Sequence, residues 1–401
     1  MKISFTLIIL AINFLIAYFI AKKFLFSIKI FSAALLARPK LKKIILFYCI
    51  LLLISPITYL ISSQYINNYY ITYISSLLMG LSIQLFIVGM AYELIKFCYY
   101  YDFFSKHYKI IDILFLSLSF IYIASCFYFG TLLPTINKMD LYLSLSSKSG
   151  SESSIRIALI SDLHVGPTIK KNTVDKIVER INSQNPDVVF IVGDLLDQNP
   201  KKIPEILQDL DGLKNLKSTF GTYMVLGNHE HYMNAEEFIR VAPKFNIKML
   251  LNQNIIIGKK PIRILGLNDP AGKRYGIYLP KLDEMVDSLK RMPSLPTIVL
   301  AHQPREAREF VLKYYKSSPT SSSPSQIALA LSGHTHGGQI FPFNLVAKIK
   351  NYYLKGLYQI EVNSSSNYNR SQIYVTTGTG YWGPPIRLNA RNEIAIINYH
   401  Y

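Results

Sequence analysis

The sequence predicts an α/β layered domain preceded by an α-helical membrane domain. Three observations predict it. The first 135 or so residues are dominated by Ile, Leu, Phe and Tyr, in runs close to the roughly 20 residues that a bilayer core requires. From residue 155 onward, short apolar runs alternate with segments of helical periodicity, the pattern of a sheet layered with helices. Between the two lies 146–154, a Ser-rich stretch with the composition of a flexible linker.

The membrane domain (1–135) is read span by span. Residues 3–20 are nearly continuous apolar sequence ending at Lys22 and Lys23. A signal peptide would look similar, but no small-residue cleavage site follows, so a retained helix is expected. Residues 24–37 are shorter, are broken by Lys29, and read as an interfacial stretch. Spans at 44–62 (with Pro56), 71–95 (with Glu93 near its end) and 110–133 (entered past Asp112) bring the total to about four. Glu93 and Asp112 are expected at exposed, interfacial positions. The first loop carries Lys22, Lys23, Lys29, Arg38, Lys40, Lys42 and Lys43, the third carries Lys96, Lys106 and Lys109, and the second carries no charge. Basic loops stay in the cytoplasm, so the C-terminal domain is expected on the extracytoplasmic side.

The soluble part (155–401, after a linker over 136–154) is expected to begin with a strand at 155–160. A helix at 172–183, a strand at 188–192, a helix at 203–216, a strand at 222–226 and a helix at 235–245 follow. A hairpin pairs 255–257 with 262–267. Next come a helix at 282–289, a strand at 297–301 and a helix at 305–315. The last strands, 327–331, 373–377 and 393–398, follow one another without helices, which suggests a mixed sheet. Residues 317–325 and 363–371 are polar and Ser-rich, and read as surface loops.

Composition limits the partners. Lys and Arg number 43 against 25 Asp and Glu, a formal charge of +18. Part of the excess sits in loops that flank the membrane. The rest suits a surface near anionic head groups, with plain solubility an equal reading. No nucleic-acid-binding module is visible, so nucleic acid is not expected as a partner. The three cysteines, Cys49, Cys98 and Cys126, lie in or beside apolar segments, which leaves the soluble part without a disulfide framework or thiolate metal site.

The chemistry is carried by five short motifs: Asp162-Leu163-His164, Gly193-Asp194, Gly227-Asn228-His229-Glu230, Ala301-His302 and Gly333-His334-Thr335-His336. Each sits at or just beyond the end of an expected strand, where open α/β sheets place their ligands. Asp162 and His164 are two apart on a stretch expected to be extended, which would point both to one face, and His334 and His336 repeat the arrangement. Asp162 and Asp194 supply carboxylates, Asn228 an amide oxygen, and His164, His302, His334 and His336 imidazoles. That set is enough to hold two divalent metal ions, with His229 left over. Mixed oxygen and nitrogen donors suit Mn, Fe or Zn better than Mg or Ca. Such a centre stays net positive, draws in a phosphoryl oxygen, and leaves an imidazole to protonate the leaving oxygen.

In this order the motifs resemble those of the calcineurin-like metallophosphoesterase superfamily. The closest likeness is to its membrane-associated YkuE-like branch and to proteins called transmembrane protein with metallophosphoesterase domain. The resemblance runs from residue 155 to the end, and 374–388 resembles the closing segment of that branch. It implies a four-layer αββα metallophosphatase sandwich. It also implies one metal on Asp162, His164 and His336, the other on Asn228, His302 and His334, Asp194 bridging, and His229 as general acid with Glu230 nearby. Asn392 stands where the branch usually has Pro, and the Ser-rich insertion before Gly333 departs from it too.

Four further expectations accompany the motifs. Asp197 supports a metal ligand or the loop, His231 is exposed, Arg387 meets either a phosphate or a surface acid, and Lys170 and Lys171 begin a solvated helix. The resulting function is a membrane-anchored hydrolase of a phosphomonoester, phosphodiester or pyrophosphate bond, with the lipid bilayer as partner and a lipid-linked substrate plausible. The competing readings are a non-catalytic membrane sensor or scaffold, which a complete set of seven ligand positions disfavours, and a transporter, which the lack of a polar stripe in the spans disfavours.

Overall fold

The computed structural model describes residues 39–63, 68–143, 153–317, 327–361 and 371–401. The expected span at 3–20 and the interfacial stretch at 24–37 lie outside them, as do residues 144–152 of the linker and most of the two Ser-rich loops. The chain forms two compact units: Met1–Thr131 with Gly383–Ile386, and Leu132–Trp382 with Arg387–Tyr401.

The first unit is helical: Pro39–Ile61, Tyr69–Cys98, the short Asp102–Lys106, and Tyr108–Thr131. Among the described residues, Tyr69–Cys98 and Tyr108–Thr131 are long and apolar enough to cross a membrane, and the apolar part of the first helix, Ile50–Ile61, is shorter. Asn68 caps Tyr69–Cys98 by accepting from the Ile71 N–H at 3.0 Å. Small hydroxylated residues join the helices: Thr72 donates to Ser62 Oγ at 2.9 Å, and Ser82 to the Leu52 carbonyl at 3.3 Å. Asp112 is fully buried rather than interfacial, because Tyr92 and Tyr99 bend their hydroxyls onto its Oδ1 at 2.8 and 2.6 Å. A carboxyl among apolar helices is tolerated only where donors reach it. Glu93 is half-buried and pairs with Lys96 at 3.2 Å.

The second unit holds two six-stranded mixed sheets. The strands are β1 Thr135–Tyr142, β2 Ser154–Ile160, β3 Val188–Val192, β4 Thr222–Val225, β5 Ile247–Met249, β6 Gln253–Ile257, β7 Ile262–Gly266, β8 Thr297–Leu300, β9 Ile327–Ser332, β10 Gly356–Ile360, β11 Ser371–Val375 and β12 Glu393–His400. Their orders are β1-β12-β2-β3-β4-β5 and β10-β11-β9-β8-β7-β6. In the first sheet only β12 and β2 run antiparallel. In the second, the outer pairs β10–β11 and β6–β7 are antiparallel and the middle is parallel. The central strands are continuous Val/Ile/Leu runs because both faces are covered: every residue of β3, Val-Val-Phe-Ile-Val, is buried.

Three apolar layers follow. Ile157, Phe190 and Val192 meet Ile264, Ile298 and Leu329 between the sheets. Outside the first sheet, helix Lys171–Asn182 seats Val174, Ile177, Val178 and Ile181, the spacing of one helical face. Outside the second, Leu282–Arg291 and Pro304–Lys316 seat Met285, Leu289, Phe310 and Tyr314. Each such side chain contributes about 1.5–3 kcal/mol by leaving water. The order of layers is helix, sheet, sheet, helix.

Several elements differ from expectation. The stretch read as the start of the linker forms β1, a strand with only Leu141 buried, paired in parallel with β12. The helix expected at 203–216 is cut to Ile206–Asp209 and a 3-10 turn at Asp211–Asn215. The one expected at 235–245 ends at Val241 and tightens into a 3-10 turn containing Pro243. Helix Phe343–Asn351, β5 and β10 were not foreseen.

Candidate metal centre

Five strands end at one place in the second unit, and each hands over one motif. β2 leads to Asp162 and His164, β3 to Asp194, β4 to Asn228, β8 to His302, and β9 to His334 and His336. The loops come very close. A Cβ on Gly193 (φ +85°) would stand 2.6 Å from His302 Nδ1 and 2.7 Å from the Gly227 Cα. The side chains converge, but not by the strand alternation that was expected. Asp162, His164, Asp194, His334 and His336 have φ of 52°, 52°, 53°, 69° and 50°. The strands have ended, and left-handed turns aim these side chains, at about 1–2 kcal/mol for each non-glycine residue.

All seven expected ligand residues meet. His336 Nε2 lies 3.3 Å from Asp162 Oδ1 and 3.1 Å from His164 Nε2. His302 Nε2 lies 3.2 Å from Asp194 Oδ2, 3.1 Å from Asn228 Oδ1 and 3.2 Å from His334 Nδ1. Asp194 Oδ2 is also 4.0 Å from His164 Nε2, so this one carboxylate lies between the two groups.

Surrounding bonds fix the orientation. His302 Nδ1 donates to the Val192 carbonyl at 2.8 Å, and His164 Nδ1 faces Asp197 Oδ1 at 2.6 Å. Both rings therefore turn Nε2 inward. Asp162 accepts from Ser161 Oγ at 2.5 Å and the His334 N–H at 3.0 Å, and Asp194 Oδ1 from the His229 N–H at 2.8 Å. Glu230 is the residue whose part the sequence reading missed. Fully buried, it accepts the N–H groups of Asp194, Leu195 and Gly227 at 2.9, 2.7 and 2.7 Å, tying two ligand loops together. Its signal was the Glu three residues past Gly227 at a helix start.

The electrostatics are those of a buried cluster of acceptors. Burial raises the Asp162 carboxyl, with His302 pulling it back and Asp194 pushing it further up. Burial acts on Asp194 in the same direction, but His302 and His229 overcome it and hold it well below the usual carboxylate range. Burial and His302 push His334 down to about 3, and burial, His164 and Arg387 hold His336 well below its ordinary value. Rings kept neutral in this way have lone pairs to offer. Burial pulls His302 down, but Asp194 and Asp162 overcome it and hold the ring well above its ordinary value, so it must release a proton to serve as a ligand. Nitrogen and oxygen atoms 3.1–3.3 Å apart then fit divalent cations between them. His336 is the exception. Arg387 Nη2 stands 3.1 Å from its Nδ1 and cannot accept, so ligation through Nε2 requires that contact to lengthen.

Residues 155–338 match the family described as calcineurin-like phosphoesterase. The chain carries a calcineurin-like metallophosphoesterase domain. An uncharacterised metallophosphoesterase of Campylobacter jejuni is 36% identical over 66% of this chain and 63% of its own length. A Bos taurus protein named transmembrane protein with metallophosphoesterase domain is 34% identical over 61% of this chain and 52% of its own length. The chain thus spans less than two thirds of these relatives. A solved dimetal phosphatase from Danio rerio overlaps 56% of this chain and 88% of its own, at 10% identity and a TM-score of 0.35.

Around the metallophosphoesterase cluster, His229 sets its Nδ1 2.6 Å from Asp197 Oδ1, the same oxygen that faces His164. Burial lowers the His229 pKa, but Asp194 and Asp197 more than reverse this and raise it to about 9. The ring is therefore charged at neutral pH, with Nε2 turned from Asp197. His231 is buried rather than exposed. It lies against Tyr275, 6.3 Å between ring centroids, and burial lowers it to about 4. Arg387 is not at the surface and pairs with no acid there. It is fully buried and donates to the carbonyls of His336, Ala390 and Gly380 at 3.2, 3.1 and 2.7 Å, bracing the His336 loop. Lys170 and Lys171 pair with Asp209 and Asp175 at the surface.

Proposed function

We propose that this protein is a membrane-anchored, binuclear metal-dependent phosphoesterase that hydrolyses a phosphomonoester, phosphodiester or pyrophosphate bond. The observation that carries the reading is Asp194, whose Oδ2 reaches into both donor groups. Asp162, His164 and His336 would hold one cation, Asn228, His302 and His334 the other, with Asp194 between. Mn, Fe or Zn suits the donors. When bound, the pair supplies positive charge for the phosphoryl oxygens and activates a water for in-line attack.

The chain's own groups do the rest. His229, charged at neutral pH, gives its Nε2 proton to the leaving oxygen, while Asp197 against Nδ1 holds the ring in place. Glu230 keeps the Asp194 and Asn228 loops in register before substrate arrives. The helical unit is the anchor, with about four spans over 1–135 and the catalytic domain outside the cytoplasm as the loop charges direct. Anchoring favours a substrate that is itself lipid-linked.

The test is the purified full chain, assayed for metal content by mass spectrometry and for turnover of p-nitrophenyl phosphate, bis-p-nitrophenyl phosphate and pyrophosphate. Two equivalents of metal with metal-dependent turnover are expected. Two equivalents with no turnover of any ester would favour the ligand-binding sensor. Protection of the domain from protease added to intact cells would reverse the orientation.

A further inference from the structure

We infer that helix Phe343–Asn351 lies in the head-group region of an anionic lipid bilayer with its outward face among the acyl chains, so that the His336 loop works at the lipid surface. This deepens the membrane-anchored reading above and rests on it; the substrate class it assigns is a phosphoester borne by a lipid.

The helix is built inside out. Leu345, Val346 and Ile349 point to solvent, Ile349 at 82% exposure. Asn344, Ala347 and Asn351 face the domain instead, with Asn351 buried and its Nδ2 donating to the Ala347 carbonyl at 3.1 Å. At about 100° per residue the inward set spans roughly 60°, and the outward apolar set roughly 100° on the opposite side. Lys348 and Lys350, both exposed, fall on the two margins between them. Helix Lys171–Asn182 of the same unit does the reverse, burying Val174, Ile177, Val178 and Ile181 and exposing Lys171, Lys176 and Glu179.

An apolar stripe bordered by lysines is the pattern of a helix lying in a membrane interface, where the lysine stems stay with the apolar surface and the ammonium groups reach the phosphates. Aromatic rings add to it. Phe341 and Tyr352 are exposed at the helix ends, and Arg305 and Arg308 stand 5.4 and 4.9 Å over the Tyr352 ring.

Charge decides between a bilayer and a second copy of the chain. A two-fold seam on this face would set Lys348 and Lys350 near their own copies, while anionic head groups neutralise them. One nine-residue helix also offers well under the roughly 800 Å² per partner of a stable protein interface. The coupling to the metal centre is direct. Gly338, two residues past His336, has φ +78°, and a Cβ there would collide with the Asn344 backbone, so helix and ligand loop are packed without a gap.

The experiment uses the full chain in nanodiscs of phosphatidylcholine with or without phosphatidylglycerol. Cys49, Cys98 and Cys126 are replaced by Ala, and a nitroxide is attached at Leu345→Cys, Ile349→Cys or, as a control, Lys176→Cys. Power saturation should give oxygen collisions in excess over a water-soluble nickel chelate at 345 and 349, at a depth of about 5–10 Å, and the opposite at 176. Lys348→Glu with Lys350→Glu should make the 349 label shallower in anionic discs and leave it unmoved in neutral ones. Labels at 345 and 349 as water-exposed as 176 would overturn the inference. So would a depth indifferent to the lysines in anionic discs, or spin–spin broadening that disappears on dilution with unlabelled chain, which marks a second copy. Failure to enter discs at all would remove the anchoring it rests on. None of these readouts needs turnover, so loss of p-nitrophenyl phosphate hydrolysis would count against the catalytic reading alone.

Discussion

The helical unit and the α/β unit bury opposite chemistry. In the first, Leu94, Leu118 and Phe120 are exposed at 73%, 65% and 75%, while Thr72, Ser76, Gln84 and Asp112 are buried. In the second, Leu159, Phe190, Val192 and Ile298 are wholly buried, and Lys171, Lys176 and Glu179 of the outer helix Lys171–Asn182 stay in water. On the membrane-anchored reading proposed above, each unit is folded for its own solvent. In lipid, apolar burial gains little, and small polar residues make the helix contacts. Where water surrounds it, apolar burial drives folding. Buried polar groups then need their own reason, and in the α/β unit Asp162, His164, Asn228, Glu230, His302 and His336 gather with Asp194 at the strand ends.

Four changes would break or sharpen that contrast. The largest effect belongs to Asp194→Ala, which removes the carboxylate shared by both donor groups. Ester turnover should fall by about a thousandfold or more, the rate equivalent of several kcal/mol, with metal content reduced and the circular-dichroism signal of the helices intact. His229→Gln comes next. It should cost about 10²–10⁴ in turnover while metal content holds, and the loss should shrink for a good leaving group such as p-nitrophenolate, which needs little proton.

The third is a matched pair. Leu159→Ala in the core between the sheets should destabilise by about 2–5 kcal/mol. Leu94→Ala on the helical unit should stay within about 0.5 kcal/mol in detergent. Equal losses, read by denaturant titration, would end the two-solvent view.

The smallest effect is a pH effect. Glu306 is buried with Oε1 unpartnered, and burial, with Glu309 and Asp269 adding, raises its pKa from 4.5 to about 7. The folded chain holds this proton more tightly than the unfolded one, so stability falls as pH rises from 4.5 to 7 and stays lost above that. Glu306→Gln should leave melting at pH 4.5 nearly unchanged and stabilise at pH 8 by about 2 kcal/mol, discounted for solvent screening. A parent melting curve flat between those pH values would contradict the sign.

Much of this could be read in the sequence, for identifiable reasons. The central strands announce themselves because two-sided burial demands runs such as Val188–Val192. The seven ligand candidates stood out because unusual residue types recur just past such runs. What stayed hidden was decided by distant partners. β1 reads as polar because it is an edge strand, and its pairing with β12 leaves no local trace. His231 and Arg387 look like surface residues until neighbouring loops close over them. Helix Phe343–Asn351 confuses a pattern reader because its apolar residues face outward. The left-handed turns at the ligands break the expectation of an extended strand, since the geometry the cluster needs overrides what Asp and His prefer locally.

Those left-handed turns have a consequence for anyone evolving this protein. At His164, His334 and His336 the backbone sits where glycine is comfortable and histidine is not. Selection for heat tolerance alone would enrich glycine or asparagine there and steadily erase the chemistry. A library scored for both traits would instead have to harvest its gains far from these turns, on the outer helices and the remaining loops.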